Sequence, residues 1–212
     1  MRPVAVAPRA HRVLRLAAAV PLAAGLMIGP AATPSSTVAL IPSAWAACPD
    51  AEVVFARGRQ EAPGVGAVGD ALVNSLRSQV GLSVGVYGVN YPADLSAASG
   101  ANDIRAHVQS MATSCPNTRM VLGGYSLGAT AADLATRSMP PGLDQHIAAV
   151  ALFGNGAKRF GPLPAFAGKT IDQCADGDPI CGRGLNWPSH LQPSYLSSGL
   201  VDQAASFIAG KL

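Results

Sequence analysis

The stretch Val121-Leu122-Gly123-Gly124-Tyr125-Ser126-Leu127-Gly128-Ala129 constrains the chain most. An apolar run enters Gly-x-Ser-x-Gly, and an Ala-rich pattern of helical spacing follows. This order describes a buried strand, a sharp turn and a helix start. The flanking glycines leave room where a Cβ would strike a neighbouring strand or helix. Ser126 then projects at the top of the turn, with the helix N-terminus beneath it, the position of a nucleophile. The same five letters also arise by chance in a Gly-rich chain, so the reading depends on what else the sequence supplies.

Around this stretch, apolar runs alternate with helical patterns. Strands are expected over 52–56, 83–91, 119–125, 147–153 and 169–173. Helices are expected over 65–80, 101–114, from Ser126 to the stop at Pro140-Pro141, and over 195–211. Apolar strands alternating with helices indicate a mostly parallel, five-stranded sheet covered on both faces, a three-layer α/β fold. Ligands on such sheets bind outside the carboxyl ends of the strands. Ser126 and the loop 57–64 both lie at such ends.

Residues 1–46 read as a secretory signal. Arg2, Arg9, Arg12 and Arg15 precede an apolar segment over 16–28, and Ala44-Trp45-Ala46 forms an Ala-x-Ala cleavage pattern. The apolar segment is short for a membrane span and is interrupted by Pro21 and Gly25, with an uncleaved anchor as the alternative. Without these four arginines, the 15 Lys+Arg fall to 11 against 12 Asp+Glu. The basic balance therefore belongs to the export signal and gives no reason to expect nucleic acid. Residues 47–212 suit a single domain. All four cysteines lie there, as expected of two disulfides in an exported chain. Cys174 and Cys181 can close a small loop. Cys48 and Cys115 each lie four residues before an expected strand, and parallel neighbours would bring them together. No Cys-x-x-Cys pair or histidine cluster suggests a metal site.

A serine hydroxyl needs a base and a group that orients the base. Of four histidines, His11 is in the signal, His107 lies mid-helix as a surface residue, and His146 opens a strand at its amino end. His190, in a loop before the last helix, is left as the base. Between Ser126 and His190 the acid is drawn from aspartates. Asp176 and Asp178 share the cysteine loop, and Asp178 beside Pro179 is the more rigidly held, with Asp176 its rival. An oxyanion would be met by the backbone N–H of Leu127 and a second donor near Arg59.

These residues resemble the cutinase family of serine esterases, in particular its mycobacterial cutinase-like branch. The resemblance is carried by Cys48-Pro49-Asp50, Phe55-Ala56-Arg57-Gly58, the Ser126 pentapeptide, Gly177-Asp178-Pro179-Ile180-Cys181 and the late His190. It implies an α/β-hydrolase-type, cutinase-like fold, with Ser126 as nucleophile, Asp178 as acid and His190 as base. It also implies the bridges Cys48–Cys115 and Cys174–Cys181, and no cofactor. The implied reaction is hydrolysis of fatty-acid or lipid esters by a secreted or envelope-associated monomer in peripheral contact with lipid. Leu95, Phe160, Leu163, Phe166 and Leu191 are candidates for contacting the acyl chain, with core packing as the alternative. Two positions depart from the family: Leu127 where members often carry Gln, and Arg59 where many carry Ser or Thr. Only the second removes a hydroxyl that would help an oxyanion, so an esterase weaker than hydroxyl-bearing relatives, or one whose loop moves on binding, is expected. Other ester classes are the alternatives: acetylated polysaccharide, phospholipid or thioester. A secreted binding protein with a silent site is the alternative outside enzymes.

Overall fold

The structure, a computed structural model, describes residues 48–212. Five strands form one parallel sheet in the order β2-β1-β3-β4-β5. They are β1 (Ala51–Ala56), β2 (Val84–Gly88), β3 (Arg119–Tyr125), β4 (Ile147–Phe153) and β5 (Thr170–Gln173). The helices are α1 (Gly66–Gln79), α2 (Ala98–Ser114), α3 (Leu127–Arg137), α4 (Gln192–Ser197) and α5 (Leu200–Ala209). The export signal expected over residues 1–46 lies outside the described residues. Among the described residues, no helix is long and apolar enough to cross a membrane.

The strand pleat sorts side chains between two cores. On one face, Val53 and Phe55 of β1 pack with Val68, Leu72 and Leu76 of α1 and Val201, Ala204 and Ile208 of α5. On the other, Val54 and Ala56 pack with Ile104 and Val108 of α2 and Ala131, Ala132 and Ala135 of α3. All seven residues of β4 are buried, which is why that run reads as continuously apolar. The chain runs from β1 out to β2, then crosses back to β3 and proceeds to β5. The direction of winding reverses between β1 and β3, and a crevice opens at their carboxyl ends.

Three local expectations change. The helix expected over 195–211 starts earlier and is broken. Pro193 occupies the first turn of α4, where its missing N–H costs nothing, and Gly199 at φ 76° separates α4 from α5. The strand expected over 83–91 is shorter, as β2 ends at Gly88. His107 is not a free surface residue. Its Nε2 lies 2.8 Å from Glu52 Oε2, and its ring stacks on Tyr87 at 3.6 Å between centroids.

Both disulfides are present, Cys48–Cys115 and Cys174–Cys181. The first sits at the amino ends of the adjacent strands β1 and β3, where Ala51 is in register with Arg119. It closes 67 residues against 7 for the second, so it constrains the unfolded chain far more. Replacing Cys48 and Cys115 together by serine is expected to lower unfolding free energy by about 2–4 kcal/mol in urea titrations. An unchanged denaturation midpoint would contradict this.

Candidate active site

Strand β3 ends in a sharp turn at Ser126 that leaves no room for a Cβ at Gly124 or Gly128. Ser126 has φ 55° and ψ −115°, a strained conformation for a residue with a Cβ. Two backbone bonds hold it: Ser126 N–H to Phe153 O at 2.8 Å, and Thr130 N–H to Ser126 O at 3.1 Å. A Cβ on Gly128 would overlap the carbonyl oxygens of Ala56 and Arg57, and one on Gly124 would overlap the Gly128 carbonyl. Gly128 is thus required by backbone contact between the start of α3 and the end of β1, and Gly124 by contact between the end of β3 and the start of α3.

The structure brings Ser126, His190 and Asp178 together. Ser126 Oγ lies 2.8 Å from His190 Nε2, and His190 Nδ1 lies 2.7 Å from Asp178 Oδ2. His190 ends a short 3-10 turn, Trp187–His190, and Tyr125 O–H donates to its carbonyl at 2.5 Å. Asp178 is fully buried. Its Oδ1 accepts the Ile180 N–H at 2.6 Å, and its Oδ2 accepts the Tyr195 hydroxyl at 2.5 Å. Burial pushes the carboxyl upward, but the bonds from Tyr195, His190 and Ile180 outweigh it and hold the group below its ordinary value. An ionised Asp178 only accepts, so His190 carries its proton on Nδ1 and turns a bare Nε2 toward the serine hydroxyl. Asp176, the rival in the same loop, faces solvent. Asp172 on β5 is engaged with Asn155 and Lys158, away from the imidazole.

The loop after β1 forms the opposite wall. The Arg57 guanidinium turns inward and donates to Glu61 O at 2.9 Å, Val89 O at 3.3 Å and Tyr91 O at 2.7 Å. The Glu61 carboxylate collects the Gly58 N–H at 2.5 Å, the Ala67 N–H at 3.1 Å and the Gln192 amide at 2.5 Å. Gln60 N–H is taken by Ala93 O at 2.8 Å. Within 58–61, the Arg59 N–H is therefore the one backbone donor with no acceptor among the described residues. Leu127, first residue of α3, likewise has an N–H with no intrahelical partner.

A family model described as Cutinase matches residues 47–212. The chain is 53% identical over 216 residues to "Probable carboxylesterase Culp2" of Mycobacterium tuberculosis, covering 92% of this chain and 94% of the relative. The chain belongs to the cutinase family. It is also 48% identical over 221 residues to Phospholipase Culp4 of Mycobacterium tuberculosis, covering 96% of this chain and 93% of that one. Among solved structures it is similar to a Trichoderma reesei cutinase in complex with a C11Y4 phosphonate inhibitor. The TM-score is 0.68 at 33% identity, over 77% of this chain and 76% of that one. Like its family, the protein is a serine carboxylic ester hydrolase.

In this cutinase-family chain the cleft at Ser126 has a volume of about 470 Å³. It is lined by Arg59, Gln60, Tyr125, His190, Leu191, Gln192, Pro193 and Trp187. Of the five acyl-contact candidates, Leu191 is the one in this lining. Leu163 and Phe166 are corrected to core residues. The 3-10 turn Pro164–Phe166 folds them onto the α3 side of β4, and they line a separate cavity that excludes Ser126. Phe160 is exposed under the Arg159 guanidinium, and Leu95 is 82% exposed outside the cleft lining. The sequence reading missed Trp187, Gln192, Glu61 and Tyr195. Trp187, three residues before His190, carried a usable signal as a bulky aromatic in a loop. The other three act through contacts that spacing does not reveal.

Asp178 also sets a pH dependence. Its folded-state carboxyl lies below its ordinary value, so its contribution to stability is present above about pH 4 and is lost as pH falls through the depressed value. Asp172 runs the other way, since burial raises its carboxyl, but it is common to wild type and variant. Thermal melts are expected to show a smaller loss of melting temperature between about pH 5 and pH 2.5 for Asp178→Asn than for wild type. Parallel curves would contradict the assignment.

Proposed function

We propose that the protein is a secreted carboxylesterase that cleaves fatty-acid esters through an acyl-enzyme on Ser126. The observation that carries this is the hydrogen-bonded run from Ser126 through His190 to Asp178, at 2.8 and 2.7 Å, mounted on the strained turn after β3. Ser126 Oγ attacks the ester carbonyl carbon as His190 Nε2 takes its proton. The oxygen of the tetrahedral intermediate becomes anionic and is met by the free N–H groups of Leu127 and Arg59. His190 returns the proton to the departing alkoxide, which leaves as the alcohol. Water, deprotonated by His190, then attacks the acyl-serine; the acid leaves as His190 returns that proton to Ser126 Oγ. Asp178 holds the imidazole and balances the charge it gains.

Leu191 and Trp187, 45% and 56% exposed, give the cleft an apolar side suited to an acyl chain. A phospholipid ester is the second reading. The exposed Arg59 lines the same cleft, where a guanidinium suits a phosphate, and Phospholipase Culp4 is similar over nearly the whole chain. Export is supported by the two disulfides, which suit an oxidising compartment; a monomer in peripheral contact with lipid is the form proposed to act. The export reading is checked by the amino terminus of protein recovered from culture medium, expected just after Ala46.

The function is tested with p-nitrophenyl esters of increasing acyl length, with Ser126→Ala as control. Turnover on butyrate and longer chains is expected, falling by about 10⁴-fold or more in Ser126→Ala. Preference confined to acetate would favour a polysaccharide deacetylase, and no turnover above the control would favour a binding protein. Arg59→Thr restores a hydroxyl at the oxyanion loop and is expected to raise kcat roughly ten-fold. An unchanged kcat would show that the backbone N–H suffices.

A further inference from the structure

We infer that Tyr195 is a positioning residue for ester hydrolysis, acting on His190 through the Asp178 carboxylate. This rests on the assignment of Ser126, His190 and Asp178 above. Tyr195 lies on α4, five residues past His190, and its side chain is fully buried. Its hydroxyl donates to Asp178 Oδ2 at 2.5 Å, the oxygen that also accepts His190 Nδ1–H at 2.7 Å. The same hydroxyl accepts the Ala175 N–H at 3.3 Å. Asp178 therefore has one oxygen fixed by Ile180 N–H and the other shared between the tyrosine and the imidazole. Rotating the carboxylate would break both arms, so the shared oxygen stays aimed at His190.

The charge balance points the same way. Among the described residues, no lysine or arginine pairs with Asp178, and its ionic partner is His190 itself. A buried carboxylate without a cation must be stabilised by hydrogen bonds. Tyr195 is a dependable donor, because burial, and then Asp178, push its own ionisation upward. The ring is held edge-on to Tyr125 at 5.5 Å and to Phe153 at 6.3 Å. Tyr125 in turn grips the His190 carbonyl, so two touching tyrosines hold the histidine and its orienting acid. Packing alone would be served equally by phenylalanine, but a buried hydroxyl aimed at the orienting acid would not be needed for it. The ionisable and charged groups facing this unit are Asp178 from the cysteine loop, Tyr195 from α4, Tyr125 from β3, and Glu61 and Arg59 from the loop after β1. Cys174 and Cys181 are bonded to each other and do not titrate.

The test uses Tyr195→Phe, which keeps the ring. Without the hydroxyl, Asp178 Oδ2 carries more negative charge toward the imidazole, so His190 holds its proton more tightly. The acid limb of the kcat/KM profile should move up by about half a pH unit. Loss of orientation should lower kcat roughly ten-fold with KM within about two-fold, counted per active site by burst titration. In an Asp178→Asn background the same change should have little further effect on kcat, because the route through the carboxylate is already gone. An unmoved acid limb, or effects that multiply in the double variant, would overturn the proposal. The nearly isosteric 3-fluorotyrosine at position 195 provides a second, opposite reading. Its hydroxyl is a stronger donor, so the acid limb should move down, and no movement would again overturn the role. Wild-type activity in Ser126→Ala would instead sink the underlying assignment.

Discussion

The start of α3 presses directly on the end of β1, backbone to backbone, at Gly128 against the Ala56 and Arg57 carbonyls. Much else depends on that contact. It holds Ser126 at a positive φ, which costs roughly 1–3 kcal/mol and persists only because the surrounding structure over-determines it. It also brings the first N–H of α3 beside the loop that carries Arg59. Parallel pairing of β1 with β3, in register from Ala51 opposite Arg119 to Ala56 opposite Gly124, delivers the two ends to the same level. A shift of one residue would separate the serine from the loop it must face and would turn Val54 and Phe55 to the wrong cores.

Two carboxylates organise the loops at that end of the sheet, and they do so in similar ways. Asp178 collects Ile180 N–H, Tyr195 O–H and His190 Nδ1–H. Glu61 collects Gly58 N–H, Ala67 N–H and the Gln192 amide. Gln192 lies two residues past His190, so the Glu61 contact ties the loop that carries Arg59 to the histidine loop across the cleft. Each anion is satisfied mainly by backbone and neutral donors. Such bonds are directional, and they fix loop geometry more tightly than an ion pair between flexible side chains would. Glu61 occupies the N–H of Gly58 and the Ala93 carbonyl that of Gln60, which leaves the N–H of Arg59 available.

The parts of this arrangement that the sequence revealed are those with short-range causes. The strands are apolar runs because both faces of the sheet are covered, as the fully buried β4 illustrates. The turn at Ser126 was readable because its glycines answer to backbone contacts that no other residue tolerates. His190 emerged from the scarcity of histidine, and the cysteines narrowed the acid to Asp176 or Asp178, whose burial differs completely. What stayed hidden depends on contacts across the fold. Gln192 meets Glu61 over 131 residues of chain, and Tyr195 reaches back 17 residues to Asp178. Leu163 and Phe166 sat in a loop near the site by sequence, but the packing of that loop onto β4 turned them into core. The break at Gly199 is a single left-handed residue inside an otherwise continuous helical pattern.

The proposed chemistry requires Ser126 to be an activated nucleophile rather than an exposed hydroxyl on a tight turn. A neutral organophosphate such as a diethyl p-nitrophenyl ester, followed by peptide mass spectrometry, tests it without reference to any natural substrate. One phosphoryl group per chain is expected, on the peptide containing Ser126, with labelling suppressed in His190→Ala. Labelling at another residue, or none in the wild-type protein, would contradict it.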